Sequence, residues 1–414
     1  MARYHIETYG CTSNRGESRE IERRLRDAGH HRADGADEAD VAILNTCTVV
    51  EKTERNMLAR ANELADETAD LIVTGCMALA QGEEFGDVDA RVVHWDEVPE
   101  AITNGECPTT APGAEPILDG VIGILPIARG CMSDCSYCIT KRATGKIDSP
   151  PIEENVEKAR ALVHAGAKEL RITGQDTGVY GWDDGERVLH ELLERVCAIE
   201  GEFRVRVGMA NPKGVHGIRD ELADVFAEEE KLYNFLHAPV QSGSNDVLGD
   251  MRRQHQVSEF VETVETFDER LDYWTLSTDF IVGFPTETDH DHEQSMALMR
   301  EVRPEKMNVT RFSKRPGTDA ADMKGLGGQT KKDRSKAMSE EKMEIVGEAY
   351  EAMVGKTRDV LVVEEGTGES VKCRDPAYRQ VIVRDAAERG VEVGEFHEVE
   401  ITGHNTVYAF GEPV

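Results

Sequence analysis

The chain has 414 residues, with 80 Asp and Glu against 48 Lys and Arg, for a net charge of −32. That length exceeds one ordinary core and predicts two or three domains. No run is apolar enough to span a bilayer and the N-terminal stretch lacks a signal-peptide apolar region, so no membrane partner and a cytoplasmic location are expected. Acidic residues run along the whole chain as a solvated coat suited to concentrated salt, a halophilic character. At ordinary salt such a surface would repel nucleic acid. Nine cysteines in a chain of this kind point to reduced thiols that serve metals or chemistry rather than disulfides.

Residues 1 to about 110 read as alternating strands and helices. His5–Tyr9, Val41–Asn45 and Leu71–Thr74 are β-favouring runs, with amphipathic stretches at Glu17–Ala28 and Thr53–Ala65 between them. Gly105–Asp119, with Pro108, Pro112, Gly113 and Pro116, reads as a linker. Residues 120 to about 350 repeat a strand-then-helix unit. Strands are expected at Ile122–Ala128, Glu169–Thr173, Phe203–Gly208, Asn234–Val240, Thr275–Val282 and Lys306–Phe312, with helices such as Asn155–Ala165 and Arg187–Ala198. Six such units predict a parallel sheet wound toward a barrel, with an open doubly wound sheet as the alternative. From 353 to 414, short strands at Asp359–Val363, Gln380–Val383, Glu398–Ile401 and Val407–Phe410 predict a small all-β barrel.

Two cysteine groups carry chemistry. Cys131, Cys135 and Cys138 form a C-x3-C-x2-C run directly after the first central strand. Three close thiolates can hold three irons of a 4Fe–4S cluster and leave the fourth iron open for a substrate. Zinc would want a fourth ligand, and no fourth Cys or His lies close by. Cys11, Cys47 and Cys76 each follow a predicted strand and precede a helical stretch. Strand carboxyl ends gather on one edge of a parallel sheet, so three distant cysteines should meet there as a second metal site. Cys107, Cys197 and Cys373 lack such a context and read as structural.

Together these motifs make the chain resemble the methylthiotransferase family of radical S-adenosylmethionine (SAM) enzymes over nearly its full length. The resemblance rests on Thr8-Tyr-Gly-Cys-Thr-Ser-Asn14, Asn45-Thr-Cys-Thr48, Thr74-Gly-Cys-Met77 and the three-cysteine run. It also rests on His237-Ala-Pro-Val-Gln-Ser-Gly-Ser244, Thr278-Asp-Phe-Ile-Val-Gly-Phe-Pro285 and Phe312-Ser-Lys-Arg-Pro-Gly-Thr318. Thr286 departs from the family's usual glycine, which bears on local loop shape. The resemblance implies an N-terminal parallel α/β domain, a central partial (β/α)6 radical SAM barrel and a C-terminal TRAM-like RNA-binding β-barrel.

Thr173-Gly-Gln-Asp-Thr-Gly-Val-Tyr-Gly181 and Gly208-Met-Ala-Asn-Pro212 are similar to the archaeal and eukaryotic type. That type acts on N6-threonylcarbamoyladenosine at tRNA position 37, in the anticodon stem-loop. The implied cofactors are two 4Fe–4S clusters, on Cys131, Cys135 and Cys138 and on Cys11, Cys47 and Cys76, together with SAM. Tyr137, Gly174, Gln175, Asp176, Gln241 and Ser242 are the expected SAM contacts. An electron donor and a sulfur donor are implied partners, and a monomer is the default. Basic groups at Arg311, Lys314 and Arg315, at Lys331, Lys332, Arg334 and Lys336, and at Lys372, Arg374, Arg379 and Arg384 are candidate RNA contacts, with Tyr378 to stack on a base. The competing readings are methylthiolation of another tRNA adenosine derivative or of a ribosomal-protein side chain, and a non-catalytic iron–sulfur RNA-binding protein.

Overall fold

The computed structural model describes residues 1–48, 51–103 and 115–414. Most of the expected linker, and Cys107 within it, lie outside the described residues. The N-terminal sheet is parallel throughout, in the order β2-β1-β3-β4-β5. Its strands are β1 (Arg3–Thr8), β2 (His31–Arg32), β3 (Val41–Thr46), β4 (Leu71–Thr74) and β5 (Arg91–Val92). Every residue of β3 and β4 is buried, as expected of central parallel strands covered on both faces. The covering helices are α1 (Thr12–Asp27), α2 (Glu51–Glu67), α3 (Gly75–Ala80) and α4 (Val98–Thr103).

Six further parallel strands follow in two sheets of three. β6 (Ile122–Pro126), β7 (Glu169–Thr173) and β8 (Arg204–Arg206) pair in that order; β9 (Phe235–His237), β10 (Thr275–Val282) and β11 (Lys306–Arg311) form the second sheet. A single bridge between Val205 and Leu232 joins the halves. The expected series of βα units thus winds into an incomplete barrel of six strands. Its outer helices bury one stripe each: Leu189–Cys197 inserts Leu189, Leu192, Leu193 and Val196 at helical spacing. Cys197 and Cys373 are buried in this core.

The C-terminal strands β12 (Thr357–Glu365), β13 (Val371–Arg374), β14 (Gln380–Val383), β15 (Phe396–His404) and β16 (Ala409–Pro413) close into a barrel, β12-β13-β14-β16-β15. Among the described residues, no helix is long and apolar enough to cross a membrane.

Candidate active site

Strand register brings the first cysteine group together. Thr8 pairs with Asn45, and Asn45 pairs with Thr74, so the carboxyl ends of β1, β3 and β4 stand level. Cys11 caps α1, Cys47 follows β3, and Cys76 lies in the first turn of α3. The loops touch. A Cβ on Gly10 would stand 2.9 Å from the Cβ of Cys47, and Gly10 has φ +122°. A Cβ on Gly75 would meet Thr46 O at 2.5 Å. Asn14 and Asn45 lock the loops: Asn14 Nδ2 donates to Asn45 Oδ1 (2.8 Å) and Thr46 O (3.0 Å), while Asn45 Nδ2 donates to Asn14 O (3.0 Å). The Cys11 thiol donates to Asn14 Oδ1 at 3.3 Å.

The C-x3-C-x2-C run leaves the end of β6 through Gly130, which has φ +73° and passes directly under the carbonyl of Lys146. Gly130 N–H donates to Gln175 Oε1 (2.9 Å). Ser133 N–H donates to Cys131 Sγ (3.3 Å), and Arg253 Nη1 approaches Cys135 Sγ at 3.7 Å. Arg253 also holds Asn211 Oδ1 (3.1 Å) and Pro239 O (2.7 Å), and Asn211 Nδ2 donates to Ser133 Oγ (3.2 Å). Arg253 thus sets a positive charge beside the three-cysteine run. Against it, burial raises the Cys131 and Cys138 thiols, with nearby negative groups adding to the rise.

The two cysteine groups face each other. Gly16 of α1 packs on β6, where a Cβ would stand 3.0 Å from Ile124 and 3.1 Å from Pro126. Ser13 Oγ meets Thr173 Oγ1, at the end of β7, at 3.2 Å. Helix α3, which carries Cys76, packs on α5 (Thr140–Thr144), the helix just after Cys138. Burial pushes the Cys76 thiol far up, and Glu17, Cys11, Cys47 and Cys138 raise it further. Burial likewise lifts the Glu17 carboxyl to about 7 against the pull of Arg129 and Asn45.

Among the described residues, no three His, Cys, Asp or Glu side chains converge on a single metal ion. Three thiols gathered at level strand ends, and three more on one short loop, are donors that a polynuclear cluster can share out, each iron taking its own thiolate. Crowded, desolvated thiols are also what a cationic cluster would relieve. On this chemistry the residues fit iron–sulfur clusters.

The expected SAM residues occupy one end of the barrel but do different things. Gly174 follows β7, within reach of Ala128 O. Gln175 spends its carbonyl on Gly130. Asp176 is buried, accepts from Gly178 N–H (3.2 Å) and Asn211 N–H (2.8 Å) through Oδ1, and leaves Oδ2 buried with no protein partner. Burial raises its carboxyl to about 6. Gln241 adopts φ +75° beyond β9, an uncommon conformation for a non-glycine and a mark of functional constraint. Ser242 turns into its own loop, receiving Ser244 N–H (3.2 Å). Tyr137 packs against Val247, Met251, Phe284 and Phe312.

Sequence reasoning missed Asn211 and Arg253. It also missed the lumen group His237–Asp279–Asn308, in which Asp279 meets His237 Nε2 at 3.2 Å and Asn308 Nδ2 at 2.6 Å. The signal for the last three was strand pairing, with Asn308 opposite Asp279 and His237 opposite Ser277; Asn211 and Arg253 lie outside the strands and carried none.

Comparison with known proteins completes the picture. The Radical SAM superfamily model matches residues 125–299, and uncharacterized protein family UPF0004 matches residues 3–95. The probable threonylcarbamoyladenosine tRNA methylthiotransferase of Archaeoglobus fulgidus is 38% identical, covering 99% of this chain and 98% of that one. The human threonylcarbamoyladenosine tRNA methylthiotransferase is 30% identical over 99% of this chain and 73% of its own length. The chain belongs to this family of radical SAM methylthiotransferases. Among solved structures, the radical SAM methyltransferase TsrM from Kitasatospora setae superposes with TM-score 0.57 at 13% identity, over 77% of this chain and 76% of that one. That likeness speaks to the fold of the methylthiotransferase alone.

Three of the basic residues expected at RNA are instead buried in ion pairs. Arg315 pairs with Glu54 (2.8 Å), Arg334 with Glu287 (2.5 Å), and Arg379 with Glu305. Tyr378 is buried between Tyr233 and Phe235 and cannot stack on a base from solvent. The open aromatic face of the methylthiotransferase's C-terminal barrel lies elsewhere. Lys372, Gln380, Ile382, Arg384, Tyr408 and Phe410 line a groove, in which the Tyr408 and Phe410 rings stand edge to face at 5.4 Å and Arg384 lies 4.2 Å over Phe410.

Proposed function

We propose that this methylthiotransferase transfers a methylthio group to C2 of N6-threonylcarbamoyladenosine at tRNA position 37. Cys131, Cys135 and Cys138 hold one 4Fe–4S cluster; Cys11, Cys47 and Cys76 hold a second. When bound, the clusters and SAM supply the electron, the radical, the sulfur and the methyl group for an aromatic C–H that no side-chain base readily deprotonates. The observation that carries this reading is the apposition of the two cysteine groups through α1 on β6 and α3 on α5.

The chain's own residues position and shield. Arg253 bridges Cys135 to Asn211. Asn14 and Asn45 fix the relative placement of Cys11, Cys47 and Cys76. Asp176 Oδ2 offers a buried acceptor for the SAM amino group, and Gln241 lies at the adenosyl side. The groove of Arg384, Tyr408 and Phe410 takes RNA by stacking and charge, in concentrated salt where the acidic coat is screened within about 3 Å at 1 M. An electron donor and a sulfur donor act with a cytoplasmic monomer.

Nucleoside mass spectrometry of tRNA from a deletion strain tests the substrate. Loss of the methylthio-threonylcarbamoyl nucleoside is expected. The Aquifex aeolicus tRNA-2-methylthio-N(6)-dimethylallyladenosine synthase, 30% identical over 89% of this chain, favours a second reading. Loss of a methylthio-dimethylallyl nucleoside instead would establish it.

A further inference from the structure

The barrel end opposite the cysteines carries an unexplained concentration of positive charge. Arg171 in the middle of β7 pairs with Arg206, the last residue of β8, and Lys306 is the first residue of β11. The C-terminal barrel adds Arg374, the last residue of β13, and Tyr378, held at φ +61° in the turn to β14. The Tyr378 ring packs on Tyr233 (4.9 Å) and Phe235 (5.0 Å). Around these rings stand the cations. The Arg374 guanidinium lies 4.7 Å from the Tyr378 centroid, Lys306 Nζ 5.3 Å from Tyr378 and 5.4 Å from Phe235, and the Arg206 guanidinium 5.2 Å from Phe235.

The carboxylates present are already engaged. Glu169 accepts from Arg171 Nε (2.6 Å) and from the Tyr233 hydroxyl (2.9 Å). Glu364 lies 3.7 Å from Arg171 and 3.1 Å from Lys372. Among the described residues, Arg206, Lys306 and Arg374 make no side-chain hydrogen bond and no ion pair, and the Nε atoms of Arg206 and Arg374 are buried without a partner. Cation–π contact offsets part of the cost of confining three like charges, but it neutralises none of them. The strain shows in Lys306, which water still reaches. Its ammonium is pushed down to about 8, first by burial and then by Arg374, Arg206 and Arg171. In a chain of net charge −32, three cations gathered on one aromatic cluster without an ion pair of their own suit an anion.

We propose that Arg206, Lys306 and Arg374 form a phosphate-binding recess at the base of the barrel, where it meets the C-terminal β-barrel. Planar guanidinium forks and one ammonium on converging sides match a tetrahedral oxyanion that accepts several charge-assisted hydrogen bonds. Arg206 pairs with Arg171, two residues before Thr173 on β7, about 7 Å at 3.3 Å per residue, so the recess lies below the strand ends that carry the cysteine site. The phosphate has two sources. One is a backbone phosphodiester of bound RNA, which rests on the function proposed above; the other is free inorganic phosphate, which does not.

The test is thermal unfolding of the full-length protein in chloride buffer during a titration with inorganic phosphate, for the parent, Lys306→Met and Arg374→Gln. Phosphate is expected to raise the parent's melting temperature and to leave both variants unmoved. Without phosphate, Lys306→Met should melt no lower than the parent, because removing one like charge relieves the others. An absent phosphate response, or an equal response in parent and variants, overturns the recess as a site. So does a lower melting temperature of Lys306→Met in both buffers, since the cations would then serve only to hold Tyr378.

Binding of an anticodon stem-loop RNA distinguishes the sources. If RNA supplies the phosphate, inorganic phosphate competes with it and Lys306→Met reduces the salt slope of RNA binding by about one. If free phosphate is the ligand, the RNA affinity of Lys306→Met matches the parent while the phosphate response is lost. The phosphate titration stands even if no tRNA is modified.

Discussion

Glu54 and Arg315, 261 positions apart in the chain, form a buried ion pair 2.8 Å long. Glu54 sits on α2 and also accepts from Gln81 Nε2 (2.9 Å) and from the hydroxyl of Thr48, the residue next to Cys47. Arg315 lies in the loop after β11. The pair therefore fastens the neighbourhood of one cysteine group to the far edge of the barrel that carries the other. Removing one partner of a buried pair strands the other charge, at a cost of about 3–5 kcal/mol. Arg315→Met should lower the unfolding free energy by that order in denaturant titration, and purified protein should carry less iron.

Gly130→Ala tests the path of the three-cysteine run. The added Cβ would lie 1.9 Å from Lys146 O, a backbone atom, and the residue would have to hold φ +73°. A non-glycine in that region costs about 1–3 kcal/mol before any clash. The variant should melt lower and lose about half its iron, read by metal analysis, because of the two proposed clusters only that on Cys131, Cys135 and Cys138 would depend on this turn.

These two sites also mark what the sequence made legible. The strand ends before Cys11, Cys47 and Cys76 could be read because β3 and β4 are continuous apolar runs, and level strand ends followed from parallel pairing. The six barrel strands were legible from their repeat as strand-then-helix units, although β8 and β11 are not continuous apolar runs. The edge strands β2 and β5, two residues each, carry no periodic signal. Strand β13 was missed because Val371-Lys-Cys-Arg374 is too short for its alternation to stand out. Composition could not separate a surface arginine from a buried one. Arg315, Arg334 and Arg379 look like Arg384 in sequence and differ only in the carboxylate that tertiary structure brings to them. Tyr378 looked like an RNA platform because it stands among basic residues; the fold turns it inward, and the rings that line a groove on this barrel are Tyr408 and Phe410.

Protonation of His255 should make stability depend on pH. Burial, then the charges of Arg253 and Lys213, lowers this imidazole from 6.5 to about 3. The folded protein keeps it neutral, while the unfolded chain takes up a proton below pH 6.5. Stability is therefore lost as pH falls from 6.5 toward 3. Between pH 6.5 and about pH 4.5 the loss from this group is about 2 kcal/mol. His255→Phe should flatten that part of the curve of unfolding free energy against pH, measured under identical metal loading. A slope unchanged by the substitution would remove His255 as its source.

RNA recognition by the C-terminal barrel should be lost through its half-buried groove rings. Tyr408→Ala and Phe410→Ala are each expected to weaken tRNA binding by about 1–3 kcal/mol per stacked base, at fixed salt. The closed barrel should survive Tyr408→Ala, since Tyr408 is only half-buried. Unchanged tRNA affinity in both variants would place the RNA elsewhere.

The two-cluster assignment is tested most directly by the first cysteine group. In a strain whose chromosomal copy carries Cys11→Ala, tRNA nucleosides should be measured by mass spectrometry, alongside the iron content of the purified variant. The expected result is threonylcarbamoyladenosine without its methylthio derivative, with about half the parent's iron retained on Cys131, Cys135 and Cys138. Parental levels of the methylthio nucleoside in that strain would contradict a sulfur-carrying cluster at Cys11, Cys47 and Cys76.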